Sequence, residues 1–361
     1  MKNFENYLTE GKDEPYQLIV FANTSEDIRD IGKQDRPDYA VINNAAKSAG
    51  IHIEHVEFTG SYISEKNNKL YINSFVFDKK GNVILPAEDE DAEYQKPIEI
   101  NQKNTLLFPR GLGTMGFTNS RYWTDIISVL ENRGFKTIPS ITTWRMCNSK
   151  YYCNELFRLN GLRTPKTVGL TYSDDTPRAL KELNTKFPVI LKASSGSQTG
   201  VGVVISESER SLHATVQMIK LFSKHIDLII QEFIETSFDV RVIVLNGEIV
   251  ASMKRLVIPG EFRSNASLGA KTELIDLTEI EKKDSIKAAE LVKGQLIGVD
   301  FLPAKDREKE QPYILEVNAS PGFGAIERTT KGNLTQDIFK HFMDRKNWEG
   351  FDGADLPRAT P

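Results

Sequence analysis

Two short apolar runs near the C-terminal end, each carrying a carboxylate, restrict this chain more than any other feature. In Pro312-Tyr-Ile-Leu-Glu316-Val-Asn318-Ala-Ser-Pro321-Gly322, residues Tyr313 to Leu315 read as a buried strand, which Pro321-Gly322 turns away. Side chains alternate along a strand, so Glu316 and Asn318 leave it on one face. A carboxylate and a carboxamide side by side can both give oxygens to a hard cation. Taken alone, this run reads equally as an edge strand with two solvated polar residues. The second run, Gly298-Val299-Asp300-Phe301-Leu302, tips the balance. If Asp300 and Glu316 lie on neighbouring strands, their charges repel by about 4 kcal/mol at roughly 4 Å and an effective dielectric of about 20. A divalent ion between them reverses that sign. Asp300, Glu316 and Asn318 are therefore expected to form a magnesium site.

A length of 361 residues suggests two or three domains. With 39% hydrophobic and 27% charged residues the composition is that of a globular protein, and a formal charge of −4 argues against a nucleic-acid binder. No apolar run approaches the roughly 20 residues that span a bilayer, and Met1 to Pro15 lacks the apolar core of a secretory signal. The two cysteines, Cys147 and Cys153, flank an expected helix start and suit a reducing compartment, so a cytoplasmic location is expected.

Residues 1–14 read either as a short amphipathic helix through Phe4, Tyr7 and Leu8 or as a frayed terminus. Strands are expected at Tyr16 to Ala22, Ile51 to Phe58 and Asn104 to Phe108, and helices at Ala40 to Ala49 and Asn119 to Arg133. Lys69 to Phe77 and Val83 to Leu85 read as a hairpin, and Glu88 to Glu93 as a solvated acidic loop. Alternating strands and helices imply a small α/β domain with a mostly parallel sheet. Gly111-Leu-Gly113-Thr-Met-Gly116 is a literal G-x-G-x-x-G after a strand, which would make the protein an NAD-dependent oxidoreductase. Its context is poor: Pro109 and Arg110 intervene, and no acid ends the strand Lys136 to Ile138 to hold a ribose. A glycine loop aiming Arg110 at a substrate carboxylate, or a simple turn, fits as well.

The second half opens with Asn148-Ser149-Lys150 and a helix ending at Gly161. The strand Phe187 to Leu191 leads into Lys192, then Ser194-Ser-Gly196-Ser-Gln-Thr-Gly200-Val-Gly202 and the strand Val203 to Ile205. Glycines between two strands let the backbone close on a ligand and aim N–H groups at anionic oxygens, so this hairpin reads as a phosphate cradle with Lys192 at its base. Ser206 and Glu209 read as a capping box for a helix to Phe222. Asp239 to Leu245 and Glu248 to Arg255 form a hairpin on Asn246-Gly247, Thr278 and Glu281 cap another helix, and Leu334 to Asp344 closes the fold.

This order of features resembles the ATP-grasp ligases, most closely the RimK-like branch, over about Leu106 to Lys340. The resemblance rests on Asn148-Ser-Lys150, Ile190-Leu-Lys192, Gly196 to Val203 and Gln231-Glu232-Phe233-Ile234, then on Asp239-Val-Arg241, Glu261-Phe-Arg263-Ser264-Asn265, Gly298-Val-Asp300 and Glu316 to Gly322. It implies an α/β (α+β) ATP-grasp fold with two lobes clasping ATP: an arm at 1–15, a pre-ATP-grasp α/β domain at 16–146, lobes at about 147–232 and 233–345, and a tail at 346–361. By the same resemblance Lys150, Lys192, Gly196, Ser197, Gln198, Gly200 and Gly202 hold the phosphates, Glu232 and Phe233 read the adenine edge, and Asp239 binds ribose. Arg263, Ser264 and Asn265 reach the phosphates and the reacting carboxylate, with Arg263, Lys192 and Asn265 catalytic. Asp300, Glu316 and Asn318 ligate one or two magnesium ions, for which manganese can substitute.

The implied activity is ATP-dependent carboxylate–amine ligation through an acyl phosphate, joining a glutamate-like amino acid to a peptide, protein end or metabolite. A homo-oligomer without nucleic-acid or membrane partners is expected, and a non-catalytic ATP-binding scaffold is the competing class. Ser267-Leu268-Gly269-Ala270 stands where RimK-like enzymes show His-Arg-Gly-Gly. The missing arginine leaves Lys271, with Arg110 and Arg255, as candidate substrate cations.

Overall fold

The strand Gln17–Ala22 (β1) is apolar without alternation because Leu18, Ile19, Val20 and Phe21 are all buried, as in a parallel sheet covered on both faces. The computed structural model describes residues 17–22, 37–58, 61–73, 76–77, 83–84, 97–110, 112, 117–195, 203–223, 226–257 and 270–348. They belong to two compact units, 1–138 and 139–361. The N-terminal helix, the acidic run Glu88 to Glu93, the glycines of 111–116 and 196–202, and the loop holding Arg263, Ser264 and Asn265 lie outside the described residues.

In the first unit β1 is followed by Pro37–Ala49 (α1), His52–Glu57 (β2), Tyr62–Lys66 (β3), Lys69–Asn73 (β4), Val76–Phe77 (β5), Val83–Ile84 (β6), Ile98–Ile100 (β7), Thr105–Pro109 (β8), Phe117–Asn132 (α2) and Lys136–Thr137 (β9). The order β2-β1-β8-β9 makes the expected parallel sheet. Phe21, Phe58 and Trp123 form its aromatic centre, and Trp123 Nε1 donates to the Phe58 carbonyl at 2.6 Å. The expected hairpin is divided differently. β5 pairs with β6, whereas β4 pairs with β3 through Asn67-Asn68, both at positive φ (52° and 60°). Asparagine tolerates the left-handed conformation that a two-residue hairpin turn demands, so Asn67-Asn68 is the local signal for this turn.

The second unit runs Ile141–Cys147 (α3), Lys150–Leu159 (α4), Thr167–Leu170 (β10), Thr176–Leu183 (α5), Val189–Ala193 (β11), Val203–Ser206 (β12), Glu209–Phe222 (α6), Leu228–Glu232 (β13), Phe238–Leu245 (β14), Glu248–Leu256 (β15), Thr272–Leu274 (β16), Glu279–Leu291 (α7), Leu296–Leu302 (β17), Tyr313–Asn318 (β18), Gly324–Thr330 (α8) and Leu334–Met343 (α9). Two antiparallel sheets result, β10-β13-β11-β12 and β16-β15-β14-β17-β18. On the first, Leu170, Val189, Leu191 and Ile230 pack against Ala179 and Leu183 of α5 and Leu212 and Val216 of α6.

The larger sheet has two unlike faces. Val240, Val242, Val244, Ile297, Val299, Phe301 and Val317 bury one face against Ala288, Ala289 and Leu291 of α7 and Cys153 and Phe157 of α4. Residues at the intervening positions, Asp239, Arg241 and Asp300 among them, fall on the other. Thr278 and Glu281 form the expected capping box of α7. That of α6 is Ser208 with Ser211; Ser206 is buried in β12 opposite Val189, too early to cap a helix that begins at Glu209.

Candidate active site

Ser149 caps α4 by accepting from the Tyr152 N–H, and the Lys150 N–H donates to the Ser194 carbonyl at 2.8 Å. These bonds fix the start of α4 to the end of β11, which carries Lys192. Lys192 is only 7% exposed. Burial pushes its ammonium down to about 8, with Glu316 opposing and Lys150 adding to the shift. Glu316 and Lys150 also act on Cys153, whose thiol burial and Glu316 push up to about 12 against the opposing Lys150. Cys147 is likewise raised by burial, so both cysteines are packed thiols. Lys150 on a helix and Lys192 on the smaller sheet are thus tied through Ser194, in the unit whose larger sheet carries Glu316.

Strand register builds the rest. Arg241 of β14, Asp300 of β17 and Glu316 of β18 stand in one row, and Gly298 faces Asn318 in the next. Asp300 Oδ1 accepts from Arg241 Nε at 2.7 Å, and its Oδ2 accepts from Arg241 Nη2 at 2.6 Å and Arg255 Nη2 at 2.9 Å. Arg255 also donates from Nε and Nη2 to the two oxygens of Asp239, at 2.6 and 2.7 Å. Burial alone would raise the Asp300 carboxyl, but Arg241 and Arg255 outweigh it and hold the group at about 2. For Arg255 burial works against the charge, and the Asp300 and Asp239 carboxylates reverse it, raising the pKa. A Cβ at Gly298 would lie 3.0 Å from Pro321 Cβ, so a larger residue there would force the Asn318-Ala-Ser-Pro321 turn to give by a few tenths of an ångström. Asn318 Oδ1 accepts from the Ser320 N–H at 3.0 Å, which orients the amide.

Asp300, Glu316 and Asn318 thus occupy one face in adjoining register positions, as expected. Their donors are all oxygen, and a carboxylate offers about four lone-pair sites, of which Asp300 uses three. The donor set fits a hard divalent cation. Among the described residues no three His, Cys, Asp or Glu side chains gather as a metal cluster; here the third donor is an amide.

Other expected residues take different places. Asp239, the residue expected at the ribose, accepts from Arg255 with both carboxylate oxygens. Arg255 reaches the Asp300–Glu316 row through Asp300, while Lys271 pairs with the nearby Glu273 at 2.8 Å and is 74% exposed. Glu232 ends β13, and with Phe233 it lies on the stretch joining the two sheets; its Oε1 accepts from the Lys166 N–H at 2.8 Å. Arg110 belongs to the first unit, buried with its guanidinium 5.5 Å from the Phe108 ring centre. Gly196, Ser197, Gln198, Gly200, Gly202, Arg263, Ser264 and Asn265 are outside the described residues. Arg241 is absent from the expected set, although a charge inside the apolar strand Phe238–Leu245, two residues from Asp239, marks it for the same face.

Arginines and an acid-and-amide row thus share one face of the larger sheet, a donor set that would suit a polyanion and a hard metal. The chain belongs to the RimK-like ATP-grasp family, whose domain model matches residues 147–342 and leaves Gly111 to Gly116 outside it. A probable alpha-L-glutamate ligase from Halorhodospira halophila (strain DSM 244 / SL1) is 31% identical over 260 residues, 71% of this chain and 83% of that protein. One from Coxiella burnetii (strain Dugway 5J108-111) is 33% identical over 266 residues, 72% of this chain and 86% of that protein. D-alanine–D-alanine ligase from Bacillus anthracis complexed with ATP has a TM-score of 0.60 at 16% identity, over 93% of this chain and 99% of that one. ATP-grasp ligase PsnB complexed with minimal precursor, Mg and ADP has a TM-score of 0.58 at 15% identity, over 91% and 98%. These likenesses establish the ATP-grasp fold.

Proposed function

We propose that the protein is an ATP- and magnesium-dependent carboxylate–amine ligase that joins a glutamate-like amino acid to a peptide, protein end or small metabolite. The observation that carries this reading is the Arg241–Asp300–Glu316 row with Asn318 in the adjoining position, in the same compact unit as Lys150 and Lys192. The relatives named as probable alpha-L-glutamate ligases support the amino acid.

A carboxylate acylates poorly because oxide is a poor leaving group. In the proposed reaction a carboxylate oxygen attacks the γ-phosphorus of ATP, the bond to the bridging oxygen breaks, and ADP leaves. The amine nitrogen then attacks the acyl carbon of the resulting acyl phosphate. The C–O bond breaks, inorganic phosphate departs, and the amine loses a proton. The protein's part is positioning and charge. Lys150 and Lys192 hold the phosphates, and Asp300, Glu316 and Asn318 hold the metal. Bound there, magnesium supplies charge neutralisation at the phosphate oxygens. Glu232 and Phe233 contribute adenine contacts, and Asp239 anchors Arg255. Arg263, Ser264 and Asn265 keep the phosphate and carboxylate roles that the resemblance gives them. A single charged side chain as substrate partner would suit glutamate, and partly buried Arg241 and buried Arg255 are better placed for that than exposed Lys271.

Incubation with Mg-ATP and a panel of amino acids and peptides, read by ADP release and product mass, tests the proposal. A product heavier by an amino acid less water, formed with one ADP per bond, is expected. ADP formation that never accompanies a joined product contradicts it.

A further inference from the structure

Asp300 stands in two arrangements at once. It is a ligand of the proposed metal row, yet three of its acceptor sites are filled by arginines, two of them by Arg241 alone. A dication on the same carboxylate faces those guanidiniums at short range, and like charges repel strongly at low dielectric. The two arginines differ in what they can do about it. Arg255 is 5% exposed and keeps a second carboxylate, Asp239, through two bonds. Arg241 is 16% exposed, and among the described residues Asp300 is the carboxylate it pairs with. Arg241 is therefore the group that leaves, and a partly buried cation that leaves its anion needs another.

We propose that Arg241 and a divalent cation exchange on Asp300. Arg241 neutralises Asp300 in the nucleotide-free protein and yields it as the cation binds. Its guanidinium then takes the carboxylate of the substrate, a planar anion that matches its two-pronged donor set. Arg241 thereby becomes a substrate residue that is offered only when the metal is in place. The sequence lacks an arginine at the Ser267-Leu268-Gly269-Ala270 position, and Lys271 is turned to Glu273, so Arg241 also supplies a cation those positions do not. The inference rests on the ligase reading.

The test titrates Mn2+ alone into the full chain without nucleotide and follows free Mn2+ by electron paramagnetic resonance. Arg241→Gln is expected to bind Mn2+ at least about fivefold more tightly than wild type. Asp300→Asn is expected to weaken binding by about tenfold or more. In turnover, Arg241→Gln raises the KM for the carboxylate substrate and leaves that for ATP close to wild type. A measurement on the unaltered protein stands beside the variants: the Arg241 Nε–H resonance shifts on addition of Mg2+ while that of Arg255 stays. Unchanged or weaker Mn2+ binding in Arg241→Gln, an unmoved Arg241 resonance at saturating Mg2+, or equal rises in both KM values overturns the exchange. If Asp300→Asn leaves both Mn2+ binding and ADP formation intact, the metal assignment under the ligase reading fails. Asp300-dependent metal binding with an unmoved Arg241 removes the exchange and leaves that reading standing.

Discussion

Asp300 is held by three N–H donors in a place where its side chain is 4% exposed. Removing its charge takes from Arg241 the carboxylate it pairs with and leaves Arg255 with Asp239 alone, and breaking a buried pair typically costs about 3–5 kcal/mol. Asp300→Asn should therefore unfold at lower denaturant, even though the shape is nearly kept. Its folded pKa of about 2 lies below the ordinary 3.8, so its contribution is present above about pH 4 and is lost as pH falls toward 2. The stability gap between wild type and Asp300→Asn should close over that window; a gap constant from pH 7 to 2 would refute the pairing. Lys192 has the opposite sign. Its pKa drops from 10.5 to about 8, so burial destabilises the charged folded form below pH 8 and that cost fades as pH rises toward 10.5. Lys192→Met should then raise the Tm of the nucleotide-free protein while abolishing the Tm rise caused by Mg-ATP. In wild type, ATP binding above pH 8 should take up a proton, visible as buffer-dependent binding heat. Equal heats in buffers of different ionisation enthalpy would argue against Lys192 as a phosphate ligand.

The strands of the larger sheet were legible because their polar residues interrupt apolar runs at intervals of two, and β17 and β18 do pair with Asp300 opposite Glu316. The Asn246-Gly247 hairpin was legible for a local reason, and both residues have positive φ, 45° and 83°. What escaped was short or decided at a distance. β16 has three residues and α8 seven, too few to show a period. Asp239 and Arg255 lie on adjacent strands sixteen residues apart, and only the register shows that the arginine claims the carboxylate. The resemblance brought Lys150, Lys192 and the metal row to one unit but could not show which charges were already paired. The packing at Gly298 makes a prediction at this scale. Gly298→Ala should push Pro321 outward, cost about 1–3 kcal/mol by overpacking, and weaken Mn2+ binding through Asn318. A folded Gly298→Ala protein with unchanged Mn2+ affinity would separate the turn from the site.

At the scale of the molecule, the family match lies wholly in the second unit, and the first holds a parallel sheet of four strands with its own aromatic centre beside two small antiparallel sheets. Among the described residues no helix is long and apolar enough to cross a membrane. Everything proposed about catalysis depends on Glu316 drawing lysines and metal together on a polyphosphate. The most direct measurement is ADP formation by Glu316→Ala with Mg-ATP and the substrates that the wild type joins, alongside its circular dichroism spectrum. A native spectrum with ADP formation reduced by about a hundredfold or more is the predicted result. Turnover at the wild-type rate would contradict it.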